Sequence, residues 1–202
     1  MVVDLRCCFG CKTCVAACSQ ANHTPEGLWR KVADLGVSSQ LQHIRVTVPM
    51  SCMHCEQPAC LTVCPTGATQ QQDGIVYVDP DRCIGCGYCV LACPYDARVV
   101  YQDSMDFEDD SSRETSFGQS ERTGICTKCD FCMQRVQSAR ADNLTVGVNP
   151  TATPCCVVNC SAQALHFGDM NDPRSSVSIL IQTHETFRLS EEKGTDPQVY
   201  YI

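Results

Sequence analysis

Nineteen of the 202 residues are cysteine, and most fall into four groups of two alternating kinds. The first group, Cys8-Phe-Gly-Cys11-Lys-Thr-Cys14-Val-Ala-Ala-Cys18, is a C-x2-C-x2-C-x3-C run. The third, Cys83-Ile-Gly-Cys86-Gly-Tyr-Cys89-Val-Leu-Ala-Cys93-Pro94, repeats it with a following proline. The second carries Cys52-Met-His-Cys55, Pro58-Ala-Cys60 and Cys64-Pro65. The fourth carries Cys129-Asp-Phe-Cys132, a long insertion, then Pro154-Cys-Cys156 and Cys160. Groups two and four share C-x2-C…P-x-C-x3-C and differ mainly in the middle loop, so an internal repeat organises the chain. Four groups of four leave Cys7, Cys126 and Cys155, which read as small buried hydrophobes. The proline two residues before Cys60 selects Cys156 over Cys155 as its equivalent. Cys126-x2-Cys129-x2-Cys132 also forms a triple, so Cys126 stays open as an alternative in group four.

The spacing has a chemical reading. In C-x2-C-x2-C the backbone wraps one corner of an iron–sulfur cubane, and three thiolates reach three irons. Gly10, Gly85 and Gly87 allow close approach and leave amides free to point at sulfur. The fourth cysteine begins a helix, faces away, and in two-cluster ferredoxins ligates the other cluster. Pro65 and Pro94 follow at helix starts or turns, where a missing N–H costs little. A single C-x2-C pair suits zinc equally well. Two full runs plus two loop-extended partners point instead to four [4Fe–4S] clusters, because no group carries a non-cysteine replacement.

Composition agrees. The 44% hydrophobic share counts the cysteines, so a core of ordinary side chains is thin and metal is expected to fill it. The formal charge of −8 treats thiols as neutral; cluster thiolates would add negative charge, which argues against nucleic acid as a partner. No apolar stretch approaches the ~20 residues of a membrane span, and Met1–Leu5 holds no signal-peptide apolar region. The expected location is therefore either the cytoplasm or, exported as a complex, wherever a signal-bearing partner carries it. A cysteine-rich chain of this kind favours metal over disulfides.

Each two-cluster module needs one group of each kind, paired sequentially or nested. Between groups two and three, Ala68–Gln71, Asp73-Gly74 and Ile75–Val78 read as a hairpin, compact enough to close an inner module over 51–102. Groups one and four then form an outer module, 1–50 plus 125–170. Residues 103–124 read as a polar surface insertion and 171–202 as a C-terminal extension. The expected ligand sets are Cys8, Cys11, Cys14 and Cys160 (cluster A); Cys129, Cys132, Cys156 and Cys18 (cluster B); Cys52, Cys55, Cys60 and Cys93 (cluster C); and Cys83, Cys86, Cys89 and Cys64 (cluster D). The fold class is α+β: two ferredoxin-like modules, one nested in the other, with long loops. Strands are expected at Met1–Asp4, Ile44–Val48, Ile75–Val78, Arg98–Tyr101 and Ala164–Phe167. Short helices are expected near Val15–Gln20, Ala59–Val63, Val90–Ala92, Val157–Asn159 and Val177–Gln182.

These motifs resemble the iron–sulfur (beta) subunits of the complex iron–sulfur molybdoenzymes, the dimethyl sulfoxide reductase superfamily. The likeness lies in Val3-Asp4…Cys8-Phe-Gly-Cys11, Cys64-Pro65-Thr-Gly-Ala, Cys93-Pro94-Tyr, Lys128-Cys129-Asp-Phe-Cys132-x2-Arg135 and the tail Gly168-Asp-Met-Asn-Asp-Pro173. It covers nearly the whole chain. It implies nested pairing, a molybdopterin-bearing catalytic (alpha) partner, and a role in relaying single electrons. A membrane quinol-linked subunit or a soluble donor would stand at the other end. Ser161 departs from the family pattern, which has proline there. A free polyferredoxin, a wiring subunit of a hydrogenase or formate-oxidising complex, and a scaffold with structural clusters are the alternatives. No Ser–His–Asp set, phosphate loop or dinucleotide fingerprint is present, so the chain is not expected to be an enzyme on its own. Lys128, Arg82 and Arg135 are candidates for tuning cluster potentials, and His54 is expected to pack near a cluster rather than ligate.

Overall fold

The computed structural model describes residues 1–38, 44–102 and 122–202. The insertion expected over 103–124 lies, up to residue 121, outside the described residues.

Short elements alternate along the chain: β1 (Val2–Val3), α1 (Thr13–Asn22), β2 (Lys31–Ser38), β3 (Ile44–Met50), α2 (Ala59–Thr62), β4 (Thr69–Gln72), β5 (Ile75–Val78) and α3 (Tyr88–Leu91). After them come β6 (Val99–Val100), β7 (Cys126–Thr127), α4 (Met133–Ala141), α5 (Cys155–Val158), β8 (Leu165–His166), α6 (Ser176–Thr183) and β9 (Tyr200–Tyr201). The mixture is α+β. Among the described residues no helix is long and apolar enough to cross a membrane.

Chain crossings hold the elements together. β1 pairs antiparallel with β8 and parallel with β9, so the two ends of the described chain meet in one small sheet. β6 pairs antiparallel with β7 across the insertion. β4 and β5 form the hairpin expected from Asp73-Gly74; both turn residues take positive φ, 51° and 75°, as a two-residue primed turn requires. Helix α1 packs against α5, and α2 against α3. The buried residues of α1 are Cys14, Val15 and Cys18.

β2, β7, β9 and α4 carried too little pattern to be anticipated. β2 pairs with the expected β3 in a long hairpin with an irregularity between Asp34 and Val37, where Gly36 at φ 78° donates its N–H to Asp34 Oδ1 at 3.0 Å. β7 and β9 are two-residue strands formed by long-range pairing, and polar α4 lacks an apolar stripe. The core is built as much from sulfur as from hydrocarbon. Trp29, Met53, Phe131, Phe167 and Tyr201 pack with Cys18, Cys52, Cys129 and Cys156, while Val76 joins Cys60, Cys89 and Cys126 in a second cluster.

Candidate metal centres

The first C-x2-C turn of each group shares one backbone device. The residue before the second cysteine is left-handed in each: Gly10 at φ 76°, His54 at 45°, Gly85 at 65° and Phe131 at 56°. That conformation reverses the chain and brings both sulfurs to one side. Glycine adopts it freely; a bulky ring does so only when packing holds it there.

Three small cavities lie behind these turns, each lined by cysteines. Cys18, Cys129, Cys132 and Cys156 line one. Cys52, Cys55, Cys60 and Cys93 line another. Cys64, Cys83, Cys86 and Cys89 line the third, joined by a fifth cysteine, Cys126. The remaining four expected ligands lie at a more open end: Cys14 is buried, Cys8 and Cys160 are half-buried and Cys11 is exposed. Cys8 and Cys160 are both near enough for their charge to act on Cys14. Cys11 Sγ lies 3.4 Å from the hydroxyl of Ser161, the neighbour of Cys160.

The donor set fits iron–sulfur clusters. All nineteen cysteines are free thiols. In each cavity four or five cysteines line a shared volume, the arrangement a multi-iron cluster needs, whereas a zinc site gathers its ligands on one ion with Zn–S near ~2.3 Å. Burial pushes the Cys14 and Cys60 thiols up to about 11 and the Cys18 and Cys132 thiols up to about 12. Thiolates there need a compensating positive charge, which bound iron supplies.

Buried cations supply the opposite evidence, a demand for negative charge. Arg30 is 2% exposed and Arg98 5%, and among the described residues neither pairs with a carboxylate. Arg30 donates to Ser51 Oγ at 3.2 Å and reaches Cys156 Sγ at 3.6 Å, while its Nε has no partner. Arg98 donates to Thr69 Oγ1 at 3.1 Å and reaches Cys126 Sγ at 3.7 Å, while one Nη has no partner. They line the first and second cavities respectively. A buried guanidinium without a counter-charge is costly, and cluster thiolates are the counter-charge these positions face. Burial would strip the Arg30 proton, yet the surrounding thiolates of Cys156, Cys14 and Cys129 hold its pKa above the ordinary value.

Hydrogen bonds to sulfur complete the picture. The N–H groups of Thr69, Cys126 and Ala164 donate to Cys64, Cys83 and Cys160 Sγ at 3.4, 3.3 and 3.2 Å. Thr47 Oγ1 donates to Cys8 Sγ at 3.5 Å, and Asn22 Nδ2 to Cys18 Sγ at 3.6 Å. Such contacts tune cluster potential.

The tuning candidates read from sequence divide. Lys128 is buried and donates to the Val76 carbonyl and, at 2.5 Å, to that of Cys129. Arg82 is exposed and pairs with Asp79 at 3.2 Å. Arg135 donates to the Thr153 and Pro150 carbonyls at 3.0 and 2.6 Å, holding the group-four insertion. Both are thus engaged in local pairing away from sulfur. Arg30 and Arg98 were missed, since neither sits in a cysteine motif. Among the leftover cysteines Cys126 and Cys155 are buried, but Cys7 is exposed and so is not a core hydrophobe. His54 is fully buried and lines no cysteine cavity. It accepts from the Val76 N–H at 3.0 Å, and burial, with Lys128 nearby, keeps its pKa well below the ordinary value.

Residues 44–109 and 7–68 each match a 4Fe–4S dicluster domain. Over its whole length the chain is similar to known iron–sulfur and reductase subunits. It is 38% identical to a chain designated a dimethyl sulfoxide reductase iron–sulfur subunit in Halobacterium salinarum, covering 78% of that protein. It is 36% identical to a selenate reductase subunit of Mesobacillus selenatarsenatis, covering 70%, and 34% identical to a tetrathionate reductase subunit of Salmonella typhimurium, covering 71%. With cysteine cavities suited to [4Fe–4S] clusters and full-length relatives of this kind, the chain belongs to the iron–sulfur subunits of the dimethyl sulfoxide reductase family, the electron-transfer subunits that serve a catalytic partner.

Proposed function

We propose that the chain holds four [4Fe–4S] clusters through sixteen cysteines, in the sets A, B, C and D given above, and relays electrons to or from a molybdopterin-containing catalytic subunit. The observation that carries this reading is the grouping of twelve of these cysteines, four to each, around three separate cavities, with the fourth set gathered at the open end. Bound clusters supply one-electron chemistry; the partner's cofactor carries the substrate chemistry.

The chain's own residues order the row. Helix α1 carries Cys14 of set A and Cys18 of set B, and the segment of α5 carries Cys156 of B and leads to Cys160 of A. In the same way α2 holds Cys60 of C and leads to Cys64 of D, while α3 holds Cys89 of D and leads to Cys93 of C. The turns of sets B and C touch through Phe131 and His54. The order A–B–C–D follows, and it supports a nested pairing of the two modules. Apolar side chains stand open at both ends of this row: Phe9 and Val158 beside set A, Ile84 and Leu91 beside set D. The partner subunit and the electron donor or acceptor meet the chain there.

Iron and acid-labile sulfide analysis of the anaerobically isolated complex, with a potentiometric titration followed by electron paramagnetic resonance, tests the reading. Four cluster signals of the [4Fe–4S] type are expected from this chain. Fewer clusters, or zinc in their place, would refute it.

A further inference from the structure

A fifth cysteine stands in the set-D cavity, and its surroundings say what it does. Cys126 comes from β7, far along the chain from Cys83, Cys86 and Cys89, and is 3% exposed. Its backbone N–H donates to Cys83 Sγ at 3.3 Å. Its sulfur accepts from the Cys89 thiol at 3.4 Å. Two sulfurs that close cannot bind two corners of one cubane, whose terminal ligands point away from each other. One of the pair ligates, and the other hydrogen-bonds to it.

The roles follow from position. Cys89 completes the C-x2-C-x2-C run with Cys83 and Cys86, and a ligating Cys89 has no proton to give. The proton of the pair then belongs to Cys126. Arg98 occupies the acceptor side of the Cys126 sulfur, donating to it at 3.7 Å, which leaves the S–H to point at Cys89. The approach is enforced by backbone packing: a Cβ on Gly85 would lie 2.0 Å from the Gly124 carbonyl oxygen, so the segment leading into β7 rests directly on the Cys83–Cys86 turn.

Resting on the set-D ligand reading, we infer that Cys126 is a positioning residue for electron transfer. It donates one hydrogen bond from its backbone and one from its thiol to two ligand sulfurs of the same cluster. Hydrogen bonds to thiolate ligands stabilise the more negative, reduced cluster and raise its potential. Cys126 thereby holds one end of the row at a higher potential than its ligands alone would set, and Arg98 orients it.

The test compares the wild-type complex with Cys126→Ala and Cys126→Ser in one redox titration, with iron content measured on each. In C126A the iron content is expected to match wild type, with one cluster's midpoint moved negative and the other three unmoved. In C126S, which keeps a donor, that midpoint is expected to return most of the way. An unmoved midpoint in C126A, with four clusters present, would overturn the inference alone. Loss of one cluster's iron in C126A, with retention in Cys89→Ala, would make Cys126 a ligand and overturn it as well. A wild-type complex lacking a fourth cluster would overturn the set-D reading itself, and the inference with it.

Discussion

The rings of His54 and Phe131 stack with their centroids 3.6 Å apart and their planes 19° from parallel. They hold the same position in two repeats, the residue before the second cysteine of groups two and four. Where the other two turns use glycine, these two place left-handed rings against each other. The stack thus offsets a backbone conformation that costs about 1–3 kcal/mol at each non-glycine residue, and it joins the two halves of the cysteine framework. Phe167 adds an edge contact to Phe131, with centroids 5.1 Å apart.

Phe131→Ala keeps the strained turn and removes the contact that supports it. The expected cost is about 3–5 kcal/mol, a fall of roughly 6–20 °C in the anaerobic denaturation midpoint. His54→Phe keeps a ring but strands the Val76 N–H, at about 1–3 kcal/mol. A Phe131→Ala protein as stable as wild type would show that the junction is held elsewhere.

Arg30→Met removes a buried positive charge beside Cys156. The reduced state of the nearest cluster loses Coulombic support, so its midpoint is expected to fall by on the order of 50–100 mV. Arg82→Gln, at an exposed side chain paired with half-buried Asp79, serves as the control and should leave every midpoint in place. A redox titration that finds equal values for the two variants contradicts the electrostatic role of Arg30.

Ser161→Ala removes one of two hydroxyl contacts to Cys11 Sγ; Thr13 Oγ1 makes the other, also at 3.4 Å. The site is exposed, so the expected midpoint shift is negative but smaller than for Arg30→Met, and stability should change by less than about 0.5 kcal/mol. Potentiometry on the variant checks the sign.

Gly85→Ala sets a methyl group 2.0 Å from a carbonyl oxygen on a backbone with φ of 65°. The variant is expected to lose the iron of one cluster or fail to accumulate. Gly36→Ala has a similar φ of 78° with nothing within 4 Å, and should cost only about 1–2 kcal/mol. Iron analysis of the two variants separates steric contact from backbone strain.

Removing iron tests the dependence of the fold on metal. Anaerobic chelation is expected to abolish cooperative thermal unfolding, because cysteines take the place of side chains that would otherwise close the core. Calorimetry of the chelated chain, showing a native-like transition, would instead indicate a self-sufficient hydrocarbon core.

Local chemistry was legible in the residues. The first C-x2-C turn of each group bends in the same way, Asp73-Gly74 makes its hairpin from two neighbours, and the helices after the cysteine loops appear at or near their expected bounds, because each depends on contacts within a few residues. What lay beyond reach involves partners far apart in the chain. β7 and β9 exist only because β6 and β1 lie beside them, and Arg30 gains its role only when folding brings Cys156 to it. Cys126 read as a small buried hydrophobe, with a ligand role in its own group as the alternative; packing of Gly124 on Gly85 carries it to another group's sulfurs. Spacing along a chain constrains which atoms can share a turn, whereas charge balance and hydrogen bonding at a buried cluster depend on which distant segments are pressed together.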